Sequence, residues 1–125
     1  MILGIGTDLA EVARIQASRL RFQDRFLNRV YTPAEIRYAL SKANVDERLA
    51  GRFAAKEAAM KALGTGLSGG ITWKDFEVAR EPSGRPTLHL TGVAAQRALH
   101  IGAVRIHLSI THTSALAMAV VILED

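Results

Sequence analysis

The sequence predicts an α+β fold, because helical and strand patterns follow one another without the regular alternation of βαβ units. An alanine-rich helical segment occupies the middle of the chain, and patterns typical of strands lie at the N-terminus and in the C-terminal half. The 125 residues include 49% hydrophobic and 22% charged side chains, close to the average of globular proteins. We therefore expect one domain that spans residues 1–125.

The N-terminal part of the chain predicts a buried strand followed by a helical segment. Met1 to Leu9 is apolar and rich in β-branched residues, and Gly4 and Gly6 leave gaps where another element can pack closely. From Ala10 to about Tyr31 the apolar residues have helical spacing. The pattern leaves open where this segment is broken.

Two capping boxes predict the starts of the next helices. The first is Thr32-Pro33-Ala34-Glu35, which has proline at the first helical position. The second pairs Asn44 with Glu47 and opens a longer helix that runs to Leu63, where Gly64 supplies a left-handed cap. The many alanines of this helix favour helix formation and permit close packing.

The C-terminal half predicts a hairpin and a short helix. Residues 71–80 and 85–90 have strand patterns and flank the turn Glu81-Pro82-Ser83-Gly84. Thr91 can cap a helix from Val93 to Leu99.

The last two predicted strands, 103–110 and 115–124, flank a tight turn. The final strand is apolar on both faces, which is typical of a central or sandwiched strand. Its small residues at 115, 117 and 119 leave room for a second layer or another subunit.

The charge balance indicates an anionic partner. The net charge of +4 and the pI near 10.0 suit a nucleic acid, a phosphorylated small molecule or an acidic protein. Because the chain has no cysteine, disulfides and thiolate metal sites are excluded. The N-terminus lacks the basic region of a signal peptide, and no apolar run is long enough for a membrane span. We expect a cytoplasmic protein without a membrane partner.

Two acidic residues suggest a cation site. Glu57 and Lys61 are spaced by four and share a helix face with Phe53, while Asp8 ends the apolar strand that this helix is best placed to cover. Two carboxylates about 4 Å apart repel by roughly 4 kcal/mol at an effective dielectric near 20, so a proton or a cation must bridge them. Mg²⁺ suits such a site, because it binds one or two carboxylates and substrate phosphates, and Lys61 would then hold a phosphate oxygen.

Simpler interpretations of the same residues stay open. Glu57 and Lys61 can form a surface ion pair, and Asp8 can cap the helix that follows it. The glycines of residues 64–70 can bind an anion or merely end the helix, and a solvated helix face explains the arginines at 14, 21 and 25 as well as an acidic partner does. For His112 a surface role is more frequent than a catalytic one.

Three motifs, taken together, resemble a known family. They are "GIGTDLAEVARI" (4–15), "GRFAAKEAAMKALGTG" (51–66) and "SITHT" (109–113). Their order and spacing resemble those of the holo-acyl-carrier-protein synthases, the small bacterial 4′-phosphopantetheinyl transferases. The likeness covers nearly the whole chain. It implies the 4′-phosphopantetheinyl transferase fold, with a mostly antiparallel sheet packed against a long helix.

The resemblance also implies a reaction of fatty acid biosynthesis. The 4′-phosphopantetheine arm of coenzyme A moves to a serine of apo acyl carrier protein, and adenosine 3′,5′-bisphosphate is released. Asp8 and Glu57 correspond to the ligands of a Mg²⁺ cofactor, and Glu57 to the base, acting directly or through a metal-bound water. Lys61 corresponds to the phosphate-binding lysine, and Lys56 to a residue that supports the site.

Further contacts follow from the same resemblance. Arg52 and His112 are candidates for the 3′-phosphate and adenosine end of coenzyme A, and Gly64 for a contact with the same substrate. In this class the sites lie between the subunits of a homotrimer, for which the alanine-lined last strand would form the core. The residues expected to dock the acidic helix of the carrier protein are Arg14, Arg21 and Arg25.

The alternative from another functional class is a basic module that binds RNA or another polyanion through its arginine-bearing helix. This alternative explains the charge but gives no use to Asp8 and Glu57. The aromatic content of 6% also provides few stacking platforms for single strands. We therefore expect no nucleic acid partner.

Overall fold

The computed structural model describes residues 1–125, and it has a three-stranded antiparallel sheet with a long helix across one face. A short 3-10 helix, Trp73–Asp75, precedes the second strand. This arrangement confirms the predicted α+β class and the packing of an antiparallel sheet against a long helix. In chain order the elements are β1 (Ile2–Glu11), α1 (Val12–Phe22), α2 (Asp24–Val30), α3 (Pro33–Leu40), α4 (Val45–Leu63), β2 (Phe76–Arg80), β3 (Pro86–Leu90), α5 (Gly92–His100), β4 (Arg105–His112) and β5 (Leu116–Glu124).

The strand order of the main sheet is β1-β5-β4, and β2 and β3 form a separate antiparallel hairpin. The prediction that β5 is a central strand is therefore confirmed. In the register of the sheet, Asp8 of β1 lies opposite Ala119 of β5, which lies opposite Ile110 of β4. Both edge strands of the sheet, β1 and β4, contact α4. Side chains of the sheet and of the helix can therefore meet at either edge.

Strand β1 and helix α4 approach each other through glycine. A Cβ atom added to Gly6 would lie 1.9 Å from the carbonyl oxygen of Ala58, and one added to Gly4 would lie 2.1 Å from that of Ala62. Real Cβ atoms cannot come so close, so only glycine permits this contact. The predicted role of these two glycines, a close approach by another element, is confirmed.

The small residues of β5 face the interior of the chain. Ala117 and Ala119 are fully buried within the single chain, on the side of the sheet that α4 covers. The expectation that they form the core of a trimer is therefore wrong, because α4 already fills the space beside them. The opposite face of the sheet carries exposed apolar side chains, namely Ile5, Leu9, Leu116 and Met118.

The predicted helical segment from Ala10 to Tyr31 is two helices. Strand β1 extends to Glu11, two residues beyond the predicted end, and α1 begins at Val12. Gln23 has φ = 50°, in the left-handed region, and separates α1 from α2. None of the helices combines the length and the hydrophobicity that a bilayer crossing requires.

The two predicted capping boxes have different outcomes. Thr32 Oγ1 accepts a hydrogen bond from the Glu35 N–H (3.3 Å), and Glu35 Oε1 accepts one from the Thr32 N–H (2.8 Å), so the first box is confirmed. The second box does not form, because Asn44 Oδ1 accepts from Arg48 Nε at 3.1 Å instead. The predicted C-cap of α4 is confirmed by Gly64, which has φ = 75°.

The hairpin and the helix after it begin differently from the prediction. Residues 71–75 are not part of β2, because Trp73–Asp75 forms the 3-10 helix. Thr91 makes no side-chain cap for α5, whose first turn is bonded by Asp75: its Oδ2 accepts from the Ala94 N–H at 3.2 Å. Asp75 therefore joins the start of β2 to the start of α5.

Candidate functional site

A cleft of about 360 Å³ opens between the edge of β1 and helix α4, and it is called the β1 cleft below. Asp8 reaches it from the strand, and Glu57 and Lys61 reach it from successive turns of the helix. Arg14 of α1 lines the same cleft. Glu11 of β1 lines it as well, so the structure brings together three carboxylates and two cations that are up to 53 residues apart in sequence.

Lys61 is anchored to β1. Its Nζ donates to the carbonyl oxygen of Thr7 at 2.9 Å and lies 3.3 Å from Asp8 Oδ1. The Asp8 side chain is only 16% exposed, whereas that of Lys61 is 55% exposed. Asp8 does not cap α1, because Glu11 occupies that position and no side chain bonds the helix end. The ammonium group is thus held at the mouth of the cleft beside an aspartate.

The surroundings of Glu57 disfavour its charged form. Burial raises the pKa of Glu57, the negative charge of Asp8 raises it further, and Lys61 lowers it in part. The two carboxylates therefore sense one another, as expected for a site that favours a proton or a cation. No group of three or more His, Cys, Asp or Glu side chains is placed to hold a metal ion, so a cation in the β1 cleft would receive two carboxylates from the chain.

A more apolar cleft of about 450 Å³ adjoins the β1 cleft. The two clefts share Ser18, Phe26 and Phe53, and Arg25 lines the apolar one. Trp73 stacks on Phe53 with ring centroids 4.9 Å apart, so the two rings form one wall.

Arg52 and His112 lie together, but not with Asp8. They line a cleft of about 180 Å³ at the opposite edge of the sheet, called the β4 cleft below, with Arg48 and Arg80. The β1 and β4 clefts share no lining residue. The predicted residues for coenzyme A are therefore divided, within one chain, between two sides of α4.

The guanidinium of Arg52 has a buried hydrogen-bond donor without an acceptor. Arg52 is 6% exposed, and its Nε has no hydrogen-bond partner. Burial lowers the pKa of Arg52, which the charge of Glu35 partly opposes and that of Arg48 reinforces. A buried donor without an acceptor is costly, so an anion in the β4 cleft would be stabilised there.

The remaining predicted residues lie at the surface. Arg21 and Arg25 are exposed on α1 and α2, and the Arg21 guanidinium lies 5.0 Å from the Phe22 ring. The N–H of Gly64 already donates to the carbonyl oxygen of Lys61 at 3.1 Å, which completes the helix cap. The backbone N–H of Gly64 is thus not free to bind an anion, and Gly64 lines neither cleft.

Lys56 is fully buried and forms the centre of a polar network. Its Nζ lies 2.7 Å from Glu35 Oε1 and donates to the carbonyl oxygens of Trp73 and Phe76. Glu35 Oε2 in turn accepts from the Val78 N–H at 2.9 Å. Lys56 therefore joins α4 to α3 and to the hairpin and has no access to a substrate.

Sequence reasoning missed two arginines of the β4 cleft. Arg48 stands four residues before Arg52 on α4, so helical spacing could have indicated it. Arg80 comes from β2, and no local pattern predicts that the hairpin lies beside α4. The second role of Glu35, as partner of Lys56, was also hidden behind its role in the capping box.

The sequence is that of a transferase superfamily. The sequence model of the 4′-phosphopantetheinyl transferase superfamily matches residues 4–121, and the chain belongs to this superfamily. The recognition of the family from its three motifs is thereby confirmed.

Within the superfamily, the chain is similar to holo-[acyl-carrier-protein] synthases. That of Koribacter versatilis (strain Ellin345) is 65% identical over 125 residues, which are 100% of both chains. The crystal structure of the synthase from Neisseria meningitidis has a TM-score of 0.91 at 31% identity and covers 100% of both chains. The structure of the Helicobacter pylori synthase in complex with coenzyme A has a TM-score of 0.84 at 31% identity and covers 96% of this chain and 99% of that one.

The raised pKa of Glu57 predicts a pH-dependent loss of stability in the metal-free protein. The folded state binds this proton more tightly than the unfolded chain, so the penalty is absent below the ordinary pKa of glutamate. This penalty grows as the pH rises towards the pKa of Glu57 in the folded state, and above that pKa the penalty is complete. With a chelator present, we expect Glu57→Gln to have a higher free energy of unfolding than wild type at pH 7.5 and no advantage near pH 4.

Urea denaturation at the two pH values measures this difference. Glu81→Gln is the control, because it makes the same exchange at an exposed turn residue. An advantage of Glu57→Gln that is equal at both pH values would contradict the electrostatic account.

Proposed function

We propose that this chain is a holo-[acyl-carrier-protein] synthase that transfers the 4′-phosphopantetheine arm of coenzyme A to a serine of apo acyl carrier protein. The proposal rests on the meeting of Asp8, Glu57 and Lys61 in the β1 cleft of a chain that belongs to this superfamily. In the reaction, the serine oxygen forms a new bond to the pantetheine-linked phosphorus. The bond from that phosphorus to the bridging oxygen breaks, and adenosine 3′,5′-bisphosphate leaves with this oxygen.

Mg²⁺ is the proposed cofactor. The ligands available in the β1 cleft are carboxylate oxygens, and Mg²⁺ prefers oxygen ligands and takes one or two of them from proteins. The effect of Asp8 on the pKa of Glu57 is the second supporting observation, because a cation between the two would relieve this repulsion. Asp8 and Glu57 would hold the ion, which supplies charge neutralisation at the pyrophosphate when bound.

The residues of the β1 cleft have distinct proposed roles. Lys61, held by Thr7 at the mouth of the cleft, donates to a phosphate oxygen and stabilises the charge on the departing bisphosphate. Glu57, whose carboxylate lines the cleft, accepts the proton of the attacking serine. Asp8 orients Lys61 through their 3.3 Å contact.

The adenosine end of coenzyme A is proposed to occupy the β4 cleft of a neighbouring subunit. Arg52 has a buried, unpartnered Nε in that cleft, which suits the 3′-phosphate, and His112 lies beside it. Within one chain this cleft is separated from Asp8 by α4. One coenzyme A molecule would then contact Asp8 of one subunit and Arg52 of the next.

We propose a homotrimer in which the exposed face of the main sheet forms the subunit contact. That face presents Ile5 and Leu9, each 61% exposed, beside Leu116 and Met118. So many large apolar side chains on one sheet face are typical of a protein interface. The partner is a second copy of this chain, because a copy is what would complete the site with its own Arg52 and His112.

The acidic partner is proposed to dock on α1 and α2. Arg14 lines the β1 cleft, Arg25 lines the adjoining apolar cleft, and Arg21 is exposed between them. These positive charges lead from the surface to the carboxylates, as expected for steering of an acidic carrier protein.

The reaction and both substrates are consistent with a cytoplasmic protein of one domain, residues 1–125.

The central test is a mass-spectrometric assay of apo carrier protein with coenzyme A and Mg²⁺. We expect wild type to add the mass of the phosphopantetheine arm. Glu57→Gln and Asp8→Asn should each lower kcat by about 10³-fold, because they remove a base or a cation ligand. A chelator should abolish transfer by wild type, and Mg²⁺ should restore it. Unmodified carrier protein after incubation with active, folded wild type would contradict the proposal.

A charge reversal tests the docking surface. We expect Arg21→Glu to raise the KM for the carrier protein by about fivefold at low salt, because it repels an acidic partner, and to leave the KM for coenzyme A unchanged. Arg37→Glu is the matched control, since Arg37 is likewise an exposed arginine in the last turn of a helix. Equal effects of the two variants would show that net charge, and not this surface, is responsible.

Mixing of two variants, each impaired in a different part of the site, tests the shared site. Asp8→Ala chains are refolded together with Arg52→Gln chains at equal concentration. In random trimers about one quarter of the sites combine an intact Asp8 with an intact Arg52, so about a quarter of wild-type activity should return. Each variant refolded alone is the control. Activity no greater than the sum of the controls would argue that every site belongs to one chain.

A further inference from the structure

The ring of Tyr38 is surrounded by positive charge. The guanidinium carbon of Arg52 lies 4.2 Å from the ring centroid, that of Arg80 lies 5.1 Å away, and Lys42 Nζ lies 5.4 Å away. Each contact with the ring is favourable, but the three cations repel one another. Glu77 and Glu81 line the cleft on the Tyr38 side of this cluster, so an anion would reach the cations from the β4 cleft.

Tyr38 holds two of these cations by different means. Its ring packs beneath the buried guanidinium of Arg52, and its hydroxyl accepts a hydrogen bond from Arg80 Nη1. Arg52 and Arg80 both line the β4 cleft, whereas Tyr38 lines only the neighbouring cleft on the other side of them. Tyr38 can thus influence the β4 cleft only through the two arginines.

Both arginines retain donors for a ligand. Arg52 is more than nine-tenths buried and its Nε has no partner, and the Arg80 guanidinium binds Tyr38 through one nitrogen. The carboxylate in the β4 cleft is Glu47, whose Oε1 is 3.4 Å from His112 Nδ1. The cleft thus has an excess of donors and positive charge, which matches a dianionic phosphate monoester.

We propose that Tyr38 is a positioning residue that presents Arg52 and Arg80 to the 3′-phosphate of coenzyme A and so sets the preference for coenzyme A over 3′-dephospho-coenzyme A. This inference rests on the proposed function, which gives the β4 cleft a nucleotide with a terminal phosphate. It adds Arg80 as a phosphate contact and Tyr38 as the residue that fixes the geometry of both guanidiniums.

The test compares the two donors in the transfer assay. The readout is the ratio of kcat/KM for coenzyme A to kcat/KM for 3′-dephospho-coenzyme A. Tyr38→Phe keeps the ring under Arg52 but releases Arg80, and should lower the ratio about threefold. Tyr38→Leu releases both arginines and should lower it about tenfold or more. The values for 3′-dephospho-coenzyme A should stay unchanged, because this donor lacks the 3′-phosphate that the two arginines would bind.

Tyr31→Phe is the matched control. Tyr31 is the other tyrosine of the chain, and its hydroxyl donates to the carbonyl oxygen of Leu49 in the core at 2.9 Å. Loss of this hydroxyl should lower the free energy of unfolding and leave the ratio of kcat/KM for the two donors at the wild-type value. A general effect of removing a tyrosine hydroxyl would instead lower transfer from both donors alike.

A binding measurement covers the case in which Tyr38→Leu folds poorly. Titration calorimetry compares adenosine 3′,5′-bisphosphate with adenosine 5′-monophosphate as ligands. Tyr38→Phe should lower the preference for the bisphosphate by the same factor. An unchanged ratio of kcat/KM for the two donors in active Tyr38 variants, or an equal loss of transfer from both donors, would overturn this inference. Either result would leave the proposed function intact. Wild-type protein that used neither donor would overturn the proposed function and this inference with it.

Discussion

The contact of β1 with α4, made without intervening side chains, is the constraint on which the rest of the structure depends. At Gly6 even a methyl group would collide with the carbonyl oxygen of Ala58, and Gly4 meets Ala62 in the same way. The helix therefore lies directly on the strand, and the next inward-facing residue of the strand, Asp8, reaches the face of α4 that carries Glu57. The chemistry of the β1 cleft is thus a consequence of helix and strand backbones in contact.

The buried ion pair of Glu35 and Lys56 fixes the other side of the same helix. Removing two charges from water is costly, and it is tolerated here because the carboxylate accepts from Thr32 and Val78 while the ammonium donates to two backbone carbonyls. Burial lowers the pKa of Lys56, and Glu35 opposes this effect. The adjacent residues 56 and 57 consequently have separate tasks, one joining elements inside the fold and one facing the β1 cleft.

Much of this architecture could be predicted from local sequence, and the errors have physical causes. The cap at Thr32, the stop at Gly64 and the spacing of Glu57 and Lys61 are local signals, and Asp8 was indicated by its place at the end of an apolar strand. Alternation could not decide which face of β5 meets α4, because both faces are apolar. The Asn44 cap failed because Arg48 competed for the same oxygen. The arrangement around Tyr38 joins α3, α4 and β2, and such contacts between distant segments leave no periodic pattern.

The wall between the β1 cleft and the apolar cleft has an optical consequence. Trp73 is the only tryptophan of the chain, its ring stacks on Phe53, and its carbonyl oxygen accepts from Lys56. The indole emission of the native protein therefore comes from a single place, between the apolar cleft and the buried network. A ligand in the apolar cleft would contact this indole, so its binding can be followed by tryptophan fluorescence without a label or an added mutation.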